Sequence, residues 1–179
     1  RGDQPAAVIE LKNLLQQAPN NGEARLLLGE ALLDSGDFPS AEKELSRALE
    51  LKQPHEKVLP PYVLALLAQG KSQAVVSEVE KYKLFNPGAV ATTQTARGDA
   101  YLRLGNVARA QEAYAAAIAA VPGYPRARLG QVIIIASEGR IDEALEQTEE
   151  IIAADPKLAE VRAFRADQFH HAGNFRAHL

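Results

Sequence analysis

The chain has 179 residues, 46% of them apolar and 24% charged, with a net charge of −3. It is long and apolar enough to bury a substantial core, and its Lys and Arg residues are scattered among Asp and Glu without the basic stripe that nucleic acid requires. With no cysteine, disulfides, thiolate metal sites and a thiol nucleophile are excluded, and the longest apolar stretch, Ala113 to Val121, falls well short of the roughly 20 residues of a membrane span. No methionine occurs, even at position 1, so the sequence reads as an excised piece of a longer chain.

Taken in order, the elements form a repeat. Pro5 to Ala18 carries Ala7, Leu11 and Leu14 on one helical face, and Pro5 suits a first turn because its missing N–H would have no partner there. First helices are then predicted near 22–35, 56–69, 89–104 and 125–138, and second helices near 39–52, 72–84, 107–120 and 141–154, with a further first helix near 157–172. Gly36, Gly70, Gly105, Gly139 and Gly173 separate the two helices of each pair at intervals of 34 or 35 residues. Pro19, Pro54, Pro87, Pro122 and Pro156 recur half a unit out of phase. A fixed period of this length means an array of helical hairpins in which each unit packs on its neighbours.

Side-chain choices within the unit follow from packing. Gly29 and Gly98 stand seven residues before their turn glycines, where the other units carry Val63, Val132 and Ala166, and a small residue there lets two helices approach closely. Ala41, Val75, Ala110 and Ala144 answer from the second helix. They are followed at i+4 by Leu45, Val79, Tyr114 and Thr148, and at i+7 by Ala48, Tyr82, Ala117 and Ile151, which makes one buried face. The second unit departs from this plan. Pro60 and Pro61 fall inside its first helix, which is expected to kink or begin afresh there, because an interior proline costs about 3 kcal/mol. Lys71-Ser72 also lacks the large apolar residue of the other turns, so this unit is expected to be the least regular.

These residues resemble the tetratricopeptide (TPR) repeat. The third unit matches its pattern through Gly98, Tyr101, Gly105, Ala110, Tyr114, Ala117 and Pro122, and the first through Leu28, Gly29, Leu32, Gly36, Ala41, Leu45 and Ala48. The resemblance implies an all-α, right-handed superhelical solenoid of antiparallel helix pairs with about ten helices. Residues 1–179 would form one array: the second helix of a truncated repeat over 5–19, complete repeats over 22–54, 56–87, 91–122 and 125–156, and a partial repeat over 157–179. The stretches Ile9-Glu10-Leu11-Lys12-Asn13, Glu23 to Gly29 and Ala41 to Leu45 also look like the long TPR lipoproteins of bacterial PEP-CTERM/exosortase systems. That likeness implies a periplasmic or outer-membrane-anchored location and a structural role in exopolysaccharide export or protein sorting.

In the TPR family the first helices line a concave surface, with their second, fifth, ninth and twelfth positions facing the groove. Carried onto this chain, the ligand-binding candidates are Leu26, Glu30, Leu33, Leu64, Leu67, Thr95, Asp99, Leu102, Arg126, Leu129, Ile133 and Asp167. The partner this implies is a segment of another protein, with Asp99, Arg126 and Asp167 as its polar contacts. The alternative is that several of these leucines pack on the next unit. Groove positions hold no Trp or Tyr to serve as sugar platforms, whereas Tyr62, Tyr82, Tyr101 and Tyr114 fall on faces expected to be buried. The Lys-Asn clamp of chaperone-binding members is absent, since Leu26, Glu30, Pro60 and Leu64 occupy its places.

Catalytic and metal constellations are not expected, and no cofactor is implied. Asp167 and His171 stand at i, i+4, but no third ligand accompanies them, and Ser137 has no histidine at hand to activate it. An array cut between helices would leave apolar faces around Ala7, Leu11 and Leu14 and around Phe164, Phe169 and Phe175, so end-to-end self-association is expected.

Overall fold

A computed structural model describes residues 4–154, which form nine α-helices and no strand. They are α1 (Gln4–Gln17), α2 (Gly22–Asp34), α3 (Phe38–Glu50), α4 (His55–Ala68), α5 (Ser72–Lys81), α6 (Pro87–Arg103), α7 (Val107–Ala120), α8 (Pro125–Ser137) and α9 (Ile141–Ala154). Every predicted boundary falls within two residues of these except one: the helix expected over 72–84 stops at Lys81, and Tyr82 is already extended. Asp167 and the rest of the partial repeat over 157–179 lie outside the described residues.

Each hairpin turn is built the same way. Gly36, Gly70, Gly105 and Gly139 sit at φ of 84, 74, 75 and 82°, a region costly for any residue with a Cβ. That conformation lets the next residue reach back across the helix end: Asp37 N–H donates to the Leu32 carbonyl at 2.9 Å, Lys71 to Leu66 at 3.0 Å, Asn106 to Tyr101 at 2.8 Å and Arg140 to Ile135 at 3.3 Å. Four helix starts, those of α2, α3, α6 and α7, are closed by side chains. The carboxamides of Asn21, Asn86 and Asn106 and the carboxylate of Asp37 accept the N–H three residues on, at 3.0 to 3.2 Å.

One apolar cluster runs from Leu15 on α1 to Ile134 on α8, and a smaller one joins Leu129, Val132, Ala144 and Ile151. The second-helix stripe is buried as the spacing requires, with Ala41, Leu45, Ala48, Val75, Ala110, Tyr114, Ala117, Ala144 and Thr148 fully inaccessible, except at Tyr82, which lies past the end of α5 and is only half-buried. The first helices of successive hairpins also touch, α2 on α4, α4 on α6 and α6 on α8, whereas the second helices make no comparable contact with one another. The two layers are therefore packed unequally, with the first helices forming the continuous one.

Two expectations need correction. The second unit's first helix does not begin afresh at Pro60: α4 is continuous from His55 to Ala68 with both prolines inside it. The acceptors these prolines leave unpaired belong to Glu56 and Lys57 in the first turn, where neither residue is buried and water can reach the carbonyls. The unit's irregularity appears instead in α5, which at 10 residues is the shortest described helix, and in the starts of α4 and α5, where neither Pro54 nor Lys71 provides a side-chain cap. On α1 the face that packs inward is Val8, Leu11 and Leu15, while Ala7 and Leu14 stay exposed.

Candidate functional site

The surface presented by α2, α4, α6 and α8 sorts the sequence-predicted positions by depth. Three of the four described fifth positions are packing residues, with Leu26 6% exposed, Thr95 4% and Leu129 8%, while Pro60 is half-buried. Thr95 satisfies its buried hydroxyl by donating to the Ala91 carbonyl at 2.7 Å. Leu67, at a twelfth position, is buried as well, so four of the predicted contacts belong to the core. Glu30, Leu33, Leu64, Asp99 and Leu102 are half-buried, and Arg126 and Ile133 are exposed. What remains open is a strip of second, ninth and twelfth positions.

That strip deepens between α6 and α8 into a cleft of about 270 Å³ lined by Asp99, Leu102, Arg103, Tyr114, Arg126, Leu129, Gly130 and Ile133. Five of these eight were read from the repeat register alone. Of the other three, Arg103 follows Leu102 on α6, while Tyr114 and Gly130 share one local cause, the absence of two Cβ atoms. A Cβ at Gly98 would lie 2.5 Å from the Tyr114 ring, and one at Gly130 would lie 2.3 Å from it. The ring therefore passes from α7 between α6 and α8 and reaches the cleft from below. Sequence reasoning placed Tyr114 in the core and Gly98 at a close approach answered by Ala110, but did not set Gly98 against the Tyr114 ring and had no reason to single out Gly130. The signal available was Gly130's position on α8 at the level of Tyr114.

Polar groups fix the cleft's floor. The Tyr114 hydroxyl donates to Asp99 Oδ1 at 2.6 Å. Burial and the adjacent Asp99 carboxylate push the phenol well above its ordinary ionisation range, so it stays a neutral donor. Arg103 is anchored at the wall by donation from a guanidinium nitrogen to the Leu67 carbonyl at 2.6 Å, tying α6 to the end of α4. Toward the start of α8, Thr92 on α6 is in hydrogen-bond contact with the Tyr124 hydroxyl at 3.2 Å. Farther along the strip, burial and nearby Asp34 raise the Glu30 carboxyl above the usual carboxylate range, with Lys57 on α4 acting the other way.

Leu102, Leu129 and Ile133 offer apolar walls, and Asp99, Arg103 and Arg126 supply both signs of charge at short range, which suits a side chain with its backbone polar groups attached. Among the described residues no group of three or more His, Cys, Asp or Glu could hold a metal ion, and no helix is long and apolar enough to cross a membrane.

Family models described as tetratricopeptide repeats match residues 2–70 and 95–159. Among solved structures the chain is similar to MamA (24% identity, 89% of this chain and 92% of that one, TM-score 0.70). It is similar also to a thermophilic TPR protein of Thermus thermophilus (23%, 94% and 91%, 0.72). A third likeness is to YrrB, a TPR protein with an unusual peptide-binding site (14%, 92% and 84%, 0.65). No curated protein matches. These identities carry the fold alone.

Proposed function

The chain belongs to the tetratricopeptide repeat family, whose fold serves as a scaffold for contacts between proteins, and we propose that this member is non-catalytic and holds a segment of a partner protein along the first-helix surface, anchored in the cleft between α6 and α8. The observation that carries this reading is the convergence of Asp99, Leu102, Arg126, Leu129 and Ile133 on one concavity. Those residues come from two helices and are brought together by the repeat. The packing of the layers supports it too: where first helices touch and second helices do not, the stack curves toward the first helices and makes their side the hollow one. YrrB, of the same fold, offers a precedent for a peptide-binding site.

In this reading the partner places an apolar side chain against Leu102 and Ile133 and meets Arg126 and Asp99 with polar groups on either side. Ile133 and Arg126 are exposed, so replacing them leaves the core intact. Selection of displayed random peptides on the purified protein should yield sequences that bind the wild type and lose at least about tenfold in affinity to Ile133→Asp/Arg126→Glu, a loss of about 1.4 kcal/mol. Peptides that bind the variant as well as the wild type would remove this cleft from consideration.

A further inference from the structure

Two clefts lie away from the first-helix strip and share none of its residues. The larger, about 670 Å³, runs along the outward face of α3 and is bounded by α4. The smaller, about 330 Å³, lies between α1, α2 and α3. Arg25 and Lys43 line both, so the two adjoin along α3 and are taken together as one trough.

Its charges are unevenly committed. Arg25 pairs with Glu44, Arg47 with Glu50 at 2.6 Å, and Lys71 with Glu42. Glu42 also accepts from the Gln69 carboxamide at 2.7 Å. Each carboxylate of the trough is thus already engaged. Lys12 and Lys43, both exposed, make no ion pair among the described residues, which leaves the trough with two cations in excess on a chain whose net charge is −3. The larger cleft, which Lys43 lines, has an apolar wall in Pro39 and the buried Tyr62.

We propose that this trough is a second docking site, taking an acidic extended segment of a partner protein whose carboxylates meet Lys12 and Lys43 while an apolar side chain enters the cleft at Pro39 and Tyr62. Lys43 lines both clefts and Lys12 the smaller one, and a concavity with free charge of one sign attracts a complementary chain and gives it register. The ion pairs of Arg25, Arg47 and Lys71 hold the competing carboxylates of the trough away from the lysines. Because this site and the first-helix cleft have no residue in common, each can be tested with the other intact.

The experiment uses a short fluorescein-labelled peptide alternating glutamate and leucine, its glutamine–leucine counterpart, a single-stranded oligonucleotide and inorganic phosphate, measured by fluorescence anisotropy or competition at two salt concentrations. The glutamate peptide should bind, weaken with added salt, and lose about tenfold in affinity to Lys12→Glu/Lys43→Glu. It should keep its affinity for Ile133→Asp, and Lys43→Gln should give an intermediate loss. Thermal melts of the variants should match the wild type, since both lysines are exposed. The proposal is overturned if no peptide binds, if the glutamine peptide binds equally well, or if Ile133→Asp abolishes binding while the lysine variant retains it. Equal affinity for the oligonucleotide, or full displacement by phosphate at matched ionic strength, would also overturn it, because the site would then read charge alone.

Discussion

The α6–α7 hairpin and the α4–α5 hairpin follow one backbone plan with opposite means of support. In α6–α7, Asn86 and Asn106 cap both helix starts, the helices run to 17 and 14 residues, and Gly98 admits a fully buried Tyr114 whose hydroxyl is satisfied by Asp99. In α4–α5 neither start has a side-chain cap, two prolines interrupt the bonding of α4, and the corresponding pair is Val63 and Val79.

The weaker hairpin is held from outside. Gln69 donates to the Phe38 carbonyl at 3.2 Å and to Glu42 on α3. Arg103 bonds the Leu67 carbonyl, and the Glu56 carboxylate accepts the N–H groups of Phe85 and Asn86 at 2.6 and 3.2 Å, fastening the entry to α6. In an array whose stability is a sum of unit and interface contributions, a unit poor in its own bonds persists where its interfaces are rich. The regular hairpin is held by its own caps and buried ring; the irregular one is held by bonds from its neighbours.

The largest test of this contrast is Tyr114→Ala, which removes a buried aromatic and should cost about 3–5 kcal/mol in urea unfolding, against about 1.6 kcal/mol for the two methyl groups lost in Val79→Ala. Equal losses would erase the distinction. Next is Gly130→Ala, where the added methyl would meet a ring confined on both sides; about 1–3 kcal/mol is expected, along with weaker peptide binding at the cleft.

Gln69→Ala should cost about 1 kcal/mol, and hydrogen exchange should quicken in α4 and α5 while α6 and α7 stay protected. Uniform acceleration would mean that the second hairpin is not separately supported. The smallest effect concerns alkaline pH. The folded Tyr114 phenol ionises well above the unfolded value of about 10, so the folded state retains a proton that the unfolded chain releases. That stabilisation is complete below about pH 10 and is lost as pH rises further. Tyr114→Phe should flatten the alkaline slope of stability, with buried Tyr62 supplying the remainder.

Helix ends were legible in the sequence because a few residue types impose them: glycine where φ must be positive, and asparagine or aspartate where an N–H needs an acceptor. Depth was less legible. Repeat register identified which positions share a side of α2, α4, α6 and α8, but it could not separate Leu26, Leu67, Thr95 and Leu129, buried between helices, from Leu33, Leu64 and Leu102, which remain partly open. That difference depends on the distance between successive units, which no single unit specifies. On α1, adjacent Leu14 and Leu15 lie about 100° apart, so a small rotation of the helix decides which one is buried, and α2 selects Leu15. Pro60 and Pro61 mislead for a related reason, since propensity describes an isolated helix whereas α4 is enclosed by α3 and α6.

The sequence contains no cysteine, so a single one can be introduced anywhere and labelled without background. The most direct test of the central claim places a benzophenone at Ile133→Cys in the cleft or at Ala115→Cys on the exposed side of α7, and irradiates each with a peptide selected on the wild-type protein. Cross-linking from position 133 and none from position 115 is the result expected of a partner held along the first helices. Equal yields from the two positions, or cross-linking from 115 alone, would contradict it.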